Sequence, residues 1–82
     1  MQFFNIGSTI KEYRKSNNLT QQELASKVGI TRQTLSKLEK GEIPKISLAT
    51  FIKILDTLNL ELEISEKKPF YYFDSESIKN PL

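Results

Sequence analysis

Between Thr20 and Lys40 the chain carries a dense series of hydroxyl, amide, guanidinium and ammonium groups: Thr20, Gln21, then Thr31, Arg32, Gln33, Thr34, Ser36, Lys37 and Lys40. The sequence contains no histidine and no cysteine. It therefore lacks imidazole and thiolate, the commonest catalytic base and the usual ligands of structural zinc, so triad chemistry and a metal site are not expected. What these residue types do well is hydrogen-bond to flat polar edges and to anions. Arg grips guanine O6 and N7, Gln grips adenine N6 and N7, and hydroxyl and ammonium groups hold phosphate oxygens.

Such groups read a duplex only if a helix carries them into a groove, so the elements that position them matter. Ile6, Ile10 and Tyr13 recur at i, i+4 and i+7 and predict a first helix over about Asn5 to Ser16, broken at Asn17-Asn18-Leu19. Thr20, with Glu23 three residues later, is the sequence of a capping box and opens a second helix. That helix buries Leu24, Ala25 and Val28 and stops at Gly29, after which Ile30 plugs the turn. Thr31 caps a third helix to about Lys40, with Leu35 and Leu38 inward and Gly41 as terminator. The polar series from Arg32 to Lys37 then lies on its outer faces. Beyond Pro44, Ser47 caps a fourth helix whose apolar stripe is Leu48, Phe51, Ile52, Leu55 and Leu58. Gly7, inside the first helix, has no role that the sequence explains.

The period then changes from helical to two. Leu60, Leu62 and Ile64 alternate with Glu61, Glu63 and Ser65, the pattern of a half-buried strand over 60–65. An isolated strand leaves its backbone groups unpaired, and a two-fold copy of itself supplies a partner without new sequence. Glu61 and Glu63 share the solvent face of that strand, which fits them poorly to serve as a catalytic carboxylate pair. The tail over 66–82 contains Phe70-Tyr71-Tyr72-Phe73, a candidate second strand that would form a hairpin across 66–69 or pack beside Phe3 and Phe4.

Charge sharpens the picture. The net charge of +2 says little, but from Lys11 to Lys45 eight basic residues face four acidic ones, leaving +4. Residues 46–65 carry −2 and the tail is neutral. Positive charge is thus gathered in the segment with the polar series, as expected if that segment alone meets phosphate. Eighty-two residues make one small domain, and no apolar run is long enough for a membrane span. The N-terminus lacks the charged and apolar regions of an export signal, so the expected location is cytoplasmic, and no cofactor or enzymatic activity is expected.

The chain resembles the Cro/repressor (XRE) helix-turn-helix family through Leu19-Thr20-Gln21-Gln22-Glu23-Leu24-Ala25, Gly29-Ile30-Thr31 and Leu35-Ser36-Lys37-Leu38-Glu39-Lys40-Gly41, over about Ile6 to Leu58. The resemblance implies an all-α, lambda-repressor-like domain of four to five helices spanning 1–59 that binds operator DNA and represses transcription. It implies base contacts from Thr31, Arg32, Gln33, Ser36 and Lys37, and phosphate contacts from Thr20, Gln21, Thr34 and Lys40, where many relatives carry Asn in place of Lys40. It also places Arg14 and Glu39 as an ion pair between the first and third helices. Residues 47–62 are similar to the corresponding helix and strand of the HipB-type antitoxins. That likeness implies a homodimer joined through Leu60, Leu62 and Ile64, and a HipA-like kinase-fold toxin as partner. Phe70, Tyr71, Tyr72, Phe73 and Leu82 are then the candidate toxin contacts.

Overall fold

The computed structural model describes residues 3–42 and 44–67. The aromatic run Phe70 to Phe73 and Leu82 lie outside the described residues. Four helices follow one another: α1 (Phe3–Ser16), α2 (Gln21–Val28), α3 (Arg32–Glu39) and α4 (Leu48–Thr57).

Local chemistry accounts for their ends. Thr20 is the N-cap of α2: its hydroxyl accepts from the Glu23 N–H at 3.0 Å, while the Glu23 carboxylate accepts from the Thr20 N–H at 2.8 Å. Thr31 and Ser47 cap α3 and α4 by accepting from the N–H groups of Thr34 and Thr50. Each capped helix carries an apolar residue just before its cap and another on its fourth position, the arrangement of a hydrophobic staple. The pairs are Leu19 with Leu24, Ile30 with Leu35, and Ile46 with Phe51, all in or against the core. At the other ends Asn18, Gly29, Gly41 and Asn59 take the left-handed conformation, with φ of 59°, 81°, 88° and 60°. The following N–H reaches back to the last turn, as in Leu19 to the Arg14 carbonyl at 3.1 Å and Ile30 to the Ala25 carbonyl at 3.0 Å. Leu19 and Ile30 therefore close one helix and staple the next, which is why the turns flanking α2 are so short. Thr20→Ala, which removes one of these caps, is expected to cost about 1 kcal/mol and lower the melting temperature by about 4 to 8 °C in a circular dichroism melt.

The core is built from Ile10, Leu24, Ala25, Val28, Leu35, Leu38, Ile54, Leu55 and Leu58, with α3 packed on α1 and α2, and α2 on α4. The result is a compact all-α arrangement of four helices. Helix α1 begins two residues earlier than its periodicity predicts, and α3 ends at Glu39 with Lys40 as its cap.

Two stripes differ from expectation. Tyr13 is 42% exposed; the inward face of α1 is Gly7, Ile10 and Arg14, because α1 meets α3 through a close backbone approach and an ion pair rather than through a third large side chain. Leu48 is 69% exposed while Ile54 is fully buried. The α4 face that meets α2 is rotated toward Ile54, leaving Leu48 at the helix start beyond the edge of the core.

No strand occurs among the described residues. Leu60 and Leu62 are half-buried and line, with Ile6, Ile10, Phe51 and Leu55, an apolar groove between α1 and α4. Ile64 is 89% exposed. The alternation over 60–65 thus places two of its three apolar residues on the domain, and among the described residues it has no ladder to join. No helix among the described residues is long and apolar enough to cross a membrane.

Candidate nucleic-acid interface

Helix α3 owes its position to its inner face. Leu35 and Leu38 are buried, and Glu39, at the end of the same face, is also buried. That commitment leaves the rest of the helix outward: Gln33 and Lys37 are exposed on the side away from the core, Thr31 and Arg32 are exposed at the helix start, Thr34 and Ser36 are half-buried, and Lys40 is exposed at the C-cap. The first turn of α2 runs alongside, with Thr20 exposed and Gln21 half-buried. Every residue expected to contact bases or phosphates therefore lies on or beside one helix.

Thr20, Thr31 and Thr34 have further duties. The hydroxyls of Thr20 and Thr31 accept backbone N–H groups as caps, and the hydroxyls of Thr31 and Thr34 are joined at 2.9 Å. Gln33 and Lys37 stand one helical turn apart.

Behind this face lies a polar cluster. Arg14 from α1 and Glu39 from α3 form a two-point ion pair, Arg14 Nε to Glu39 Oε2 at 2.7 Å and Arg14 Nη2 to Glu39 Oε1 at 3.1 Å. The two residues are 7% and 6% exposed, so both charges sit inside the protein. The remaining Arg14 nitrogen donates to the Leu19 carbonyl at 2.7 Å, fastening the loop between α1 and α2. Glu39 Oε1 also accepts from Gln21 Nε2 at 2.9 Å, and Gln21 Oε1 accepts from Arg32 Nη1 at 3.2 Å.

Sequence reasoning missed the joining of Gln21 to both Glu39 and Arg32. The available signal was positional: Gln21 and Arg32 each open a helix, and Arg32 and Glu39 are seven residues apart, hence on one face of α3. No group of three or more His, Cys, Asp or Glu side chains able to hold a metal occurs among the described residues.

Two short helices meeting at a tight left-handed glycine turn, the second presenting a polar face backed by a buried core, are the parts of a helix-turn-helix unit. The helix-turn-helix family HTH_3 matches residues 10–64, and the chain belongs to this family, the XRE-type regulators. An uncharacterized HTH-type transcriptional regulator of Archaeoglobus fulgidus is 40% identical over 70 residues, covering 84% of this chain and 89% of that protein. Antitoxin HipB of Escherichia coli O6:H1 is 38% identical over 63 residues, covering 77% of this chain and 66% of its own length. Among solved structures, one of the HipA-HipB-O2-O3 complex superposes with a TM-score of 0.67 at 34% identity, covering 83% of this chain and 94% of the other.

Proposed function

We propose that this helix-turn-helix regulator is a dimeric repressor that reads operator DNA with α3, and that it is the antitoxin of a HipBA-like operon which it also controls. The observation that carries the reading of DNA is the outward projection of Thr31, Arg32, Gln33 and Lys37 from a helix whose other side is locked into the core. A helix so presented fits the major groove, about 12 Å wide, with its N-terminal residues toward the base edges. Thr31, Arg32, Gln33, Ser36 and Lys37 are assigned to bases. Thr20, Gln21, Thr34 and Lys40 are assigned to phosphates, together with the Gln21 and Gln22 N–H groups at the start of α2, which have no partner inside their own helix.

The dimer is supported by the groove beside Leu60 and Leu62 and by the exposed Ile64, which a second copy of 60–65 would complete as a small sheet. Two reading helices related by a two-fold axis would then enter successive major grooves about 34 Å apart and select a pseudo-palindromic site. The antitoxin role is supported by the likeness to HipB, a protein seen in complex with HipA.

A gel shift on the DNA just upstream of its own gene, with and without the product of the adjacent open reading frame, tests both parts. Selective retardation of that fragment over random duplex, altered by a kinase-fold neighbour, is the expected result. Retardation without any effect of the neighbour would leave a stand-alone repressor, and equal binding to random DNA would remove the regulatory reading altogether. Within that assay Lys40→Ala is expected to weaken all sequences alike and reduce the salt slope by about one. Arg32→Ala is expected to relax preference at one base pair, by about 1 to 3 kcal/mol. Indistinguishable profiles for the two variants would refute the division of roles.

A further inference from the structure

The apolar groove between α1 and α4 and the aromatic run over 70–73 are left without a role by the reading of DNA. The groove has a volume of about 350 Å³ and is walled by Ile6, Ile10, Phe51, Leu55, Leu60 and Leu62. Close-packed interiors leave few voids larger than a water molecule, so an apolar gap of this size beside the core is a place for side chains. We propose that Tyr71 and Phe73 of the same chain fill it, with the segment over 70–75 returning antiparallel along 60–65.

Chain length and side-chain alternation select these two rings. The described residues end at Lys67, with fifteen residues still to follow. Five positions separate Leu62 from Lys67 and six separate Lys67 from Phe73, so a chain that reverses near Lys67 brings Phe73 back level with the groove wall at Leu62. Glu66-Lys67-Lys68-Pro69 suits that reversal: it is polar, contains a proline and has the length of an ordinary hairpin loop. In an extended segment successive side chains point to opposite faces, so Tyr71, Phe73 and Ser75 share one face and Phe70, Tyr72 and Asp74 the other. The second set would carry Asp74 toward an apolar wall whose rim already holds the carboxylate of Glu61. The first set brings only a serine hydroxyl, and it leaves Phe70 and Tyr72 facing outward.

The short tether decides the occupant. A segment joined to the groove's own wall by a few residues acts at an effective concentration on the order of millimolar, above that of a second copy or a separate protein in dilute solution. Docking also removes from water two aromatic side chains and the apolar surface of the groove together. The backbone of 60–65, which has no ladder among the described residues, gains one. A strand has two edges, so 70–75 on one of them leaves the other for the two-fold copy of 60–65 in the proposed dimer.

Neither DNA nor a toxin enters the test. In nuclear magnetic resonance spectra of the full chain, ring protons of Tyr71 and Phe73 are expected to show nuclear Overhauser contacts to methyl groups of Ile6, Leu55 and Leu62. Absence of such contacts, or their appearance from Phe70 and Tyr72 instead, would overturn the proposal. So would contacts that arise between copies, which isotope-filtered spectra of mixed labelled and unlabelled protein reveal. At one fixed protein concentration Tyr71→Ser/Phe73→Ser is expected to lower the melting temperature by at least about 10 °C, and Phe70→Ser/Tyr72→Ser by far less. Equal losses from the two double variants would also overturn it, and the contacts in the parent decide the matter if the first variant does not fold.

Discussion

Arg14→Ala should remove about 3 to 5 kcal/mol of stability, enough to unfold the domain at ambient temperature if the parent sits at the lower end for its size. Arg14 and Glu39 are both buried, and the arginine makes three hydrogen bonds, two to the carboxylate and one to the Leu19 carbonyl. Truncating it strands the Glu39 charge in the interior with only Gln21 as a donor, and leaves the Leu19 carbonyl without its guanidinium. Removing one partner of a buried pair costs about 3 to 5 kcal/mol. At roughly 0.05 to 0.15 kcal/mol per residue, a chain of 82 residues has a total stability of roughly 4 to 12 kcal/mol, so the loss is comparable with the lower end of that range. DNA binding would vanish because the fold does, and a circular dichroism melt distinguishes this from loss of a contact at the interface. A two-state melt close to that of the parent would show that the pair is dispensable. Arg14→Met combined with Glu39→Leu should regain a large part of the loss, because an apolar pair of similar volume carries no stranded charge.

Gly7 sets up a second large effect, of steric origin. A Cβ built on Gly7 would overlap the Leu38 carbonyl oxygen and lie 2.9 Å from the Glu39 carbonyl oxygen. Both obstacles are backbone atoms at the end of α3, which no change of rotamer moves aside. Gly7→Ala gains about 1 kcal/mol of helix propensity. Against that stands overpacking, which costs about 1 to 3 kcal/mol when side chains can shift and more when they are not the obstacle. A net loss of about 2 kcal/mol or more is expected in urea denaturation, and a larger one for Gly7→Val. The clash also pushes α1 away from α3 and so pulls on the Arg14–Glu39 pair, which makes the two sites non-additive. A Gly7→Ala variant as stable as the parent would mean that the two helices lie farther apart than described.

These two sites also mark where reading the sequence succeeded and where it fell short. Gly7 stood out only as a poor residue for a helix interior, and nothing nearby in the chain points to Leu38 and Glu39, more than thirty residues away. Arg14 and Glu39 were paired through a family likeness, whereas the third bond to Leu19 emerged only from the folded loop. The helices themselves were legible because Thr20, Thr31 and Ser47 meet N–H groups three residues on, and Gly29 and Gly41 sit where a left-handed residue is needed. Tyr13 and Leu48 misled, since both keep the apolar period yet lie past the edge of the buried face.

Four helices, their caps and stops, and a basic segment with an outward polar series were determined by the chain alone, because each depends on contacts between residues a few positions apart. Only the tertiary structure decided how far each apolar stripe is buried, why Gly7 must be small, and that Gln21 joins Arg32 to a buried carboxylate. Those depend on which surfaces meet after the chain has turned back on itself, and the distance between two helix backbones is a property of their packing, not of either helix.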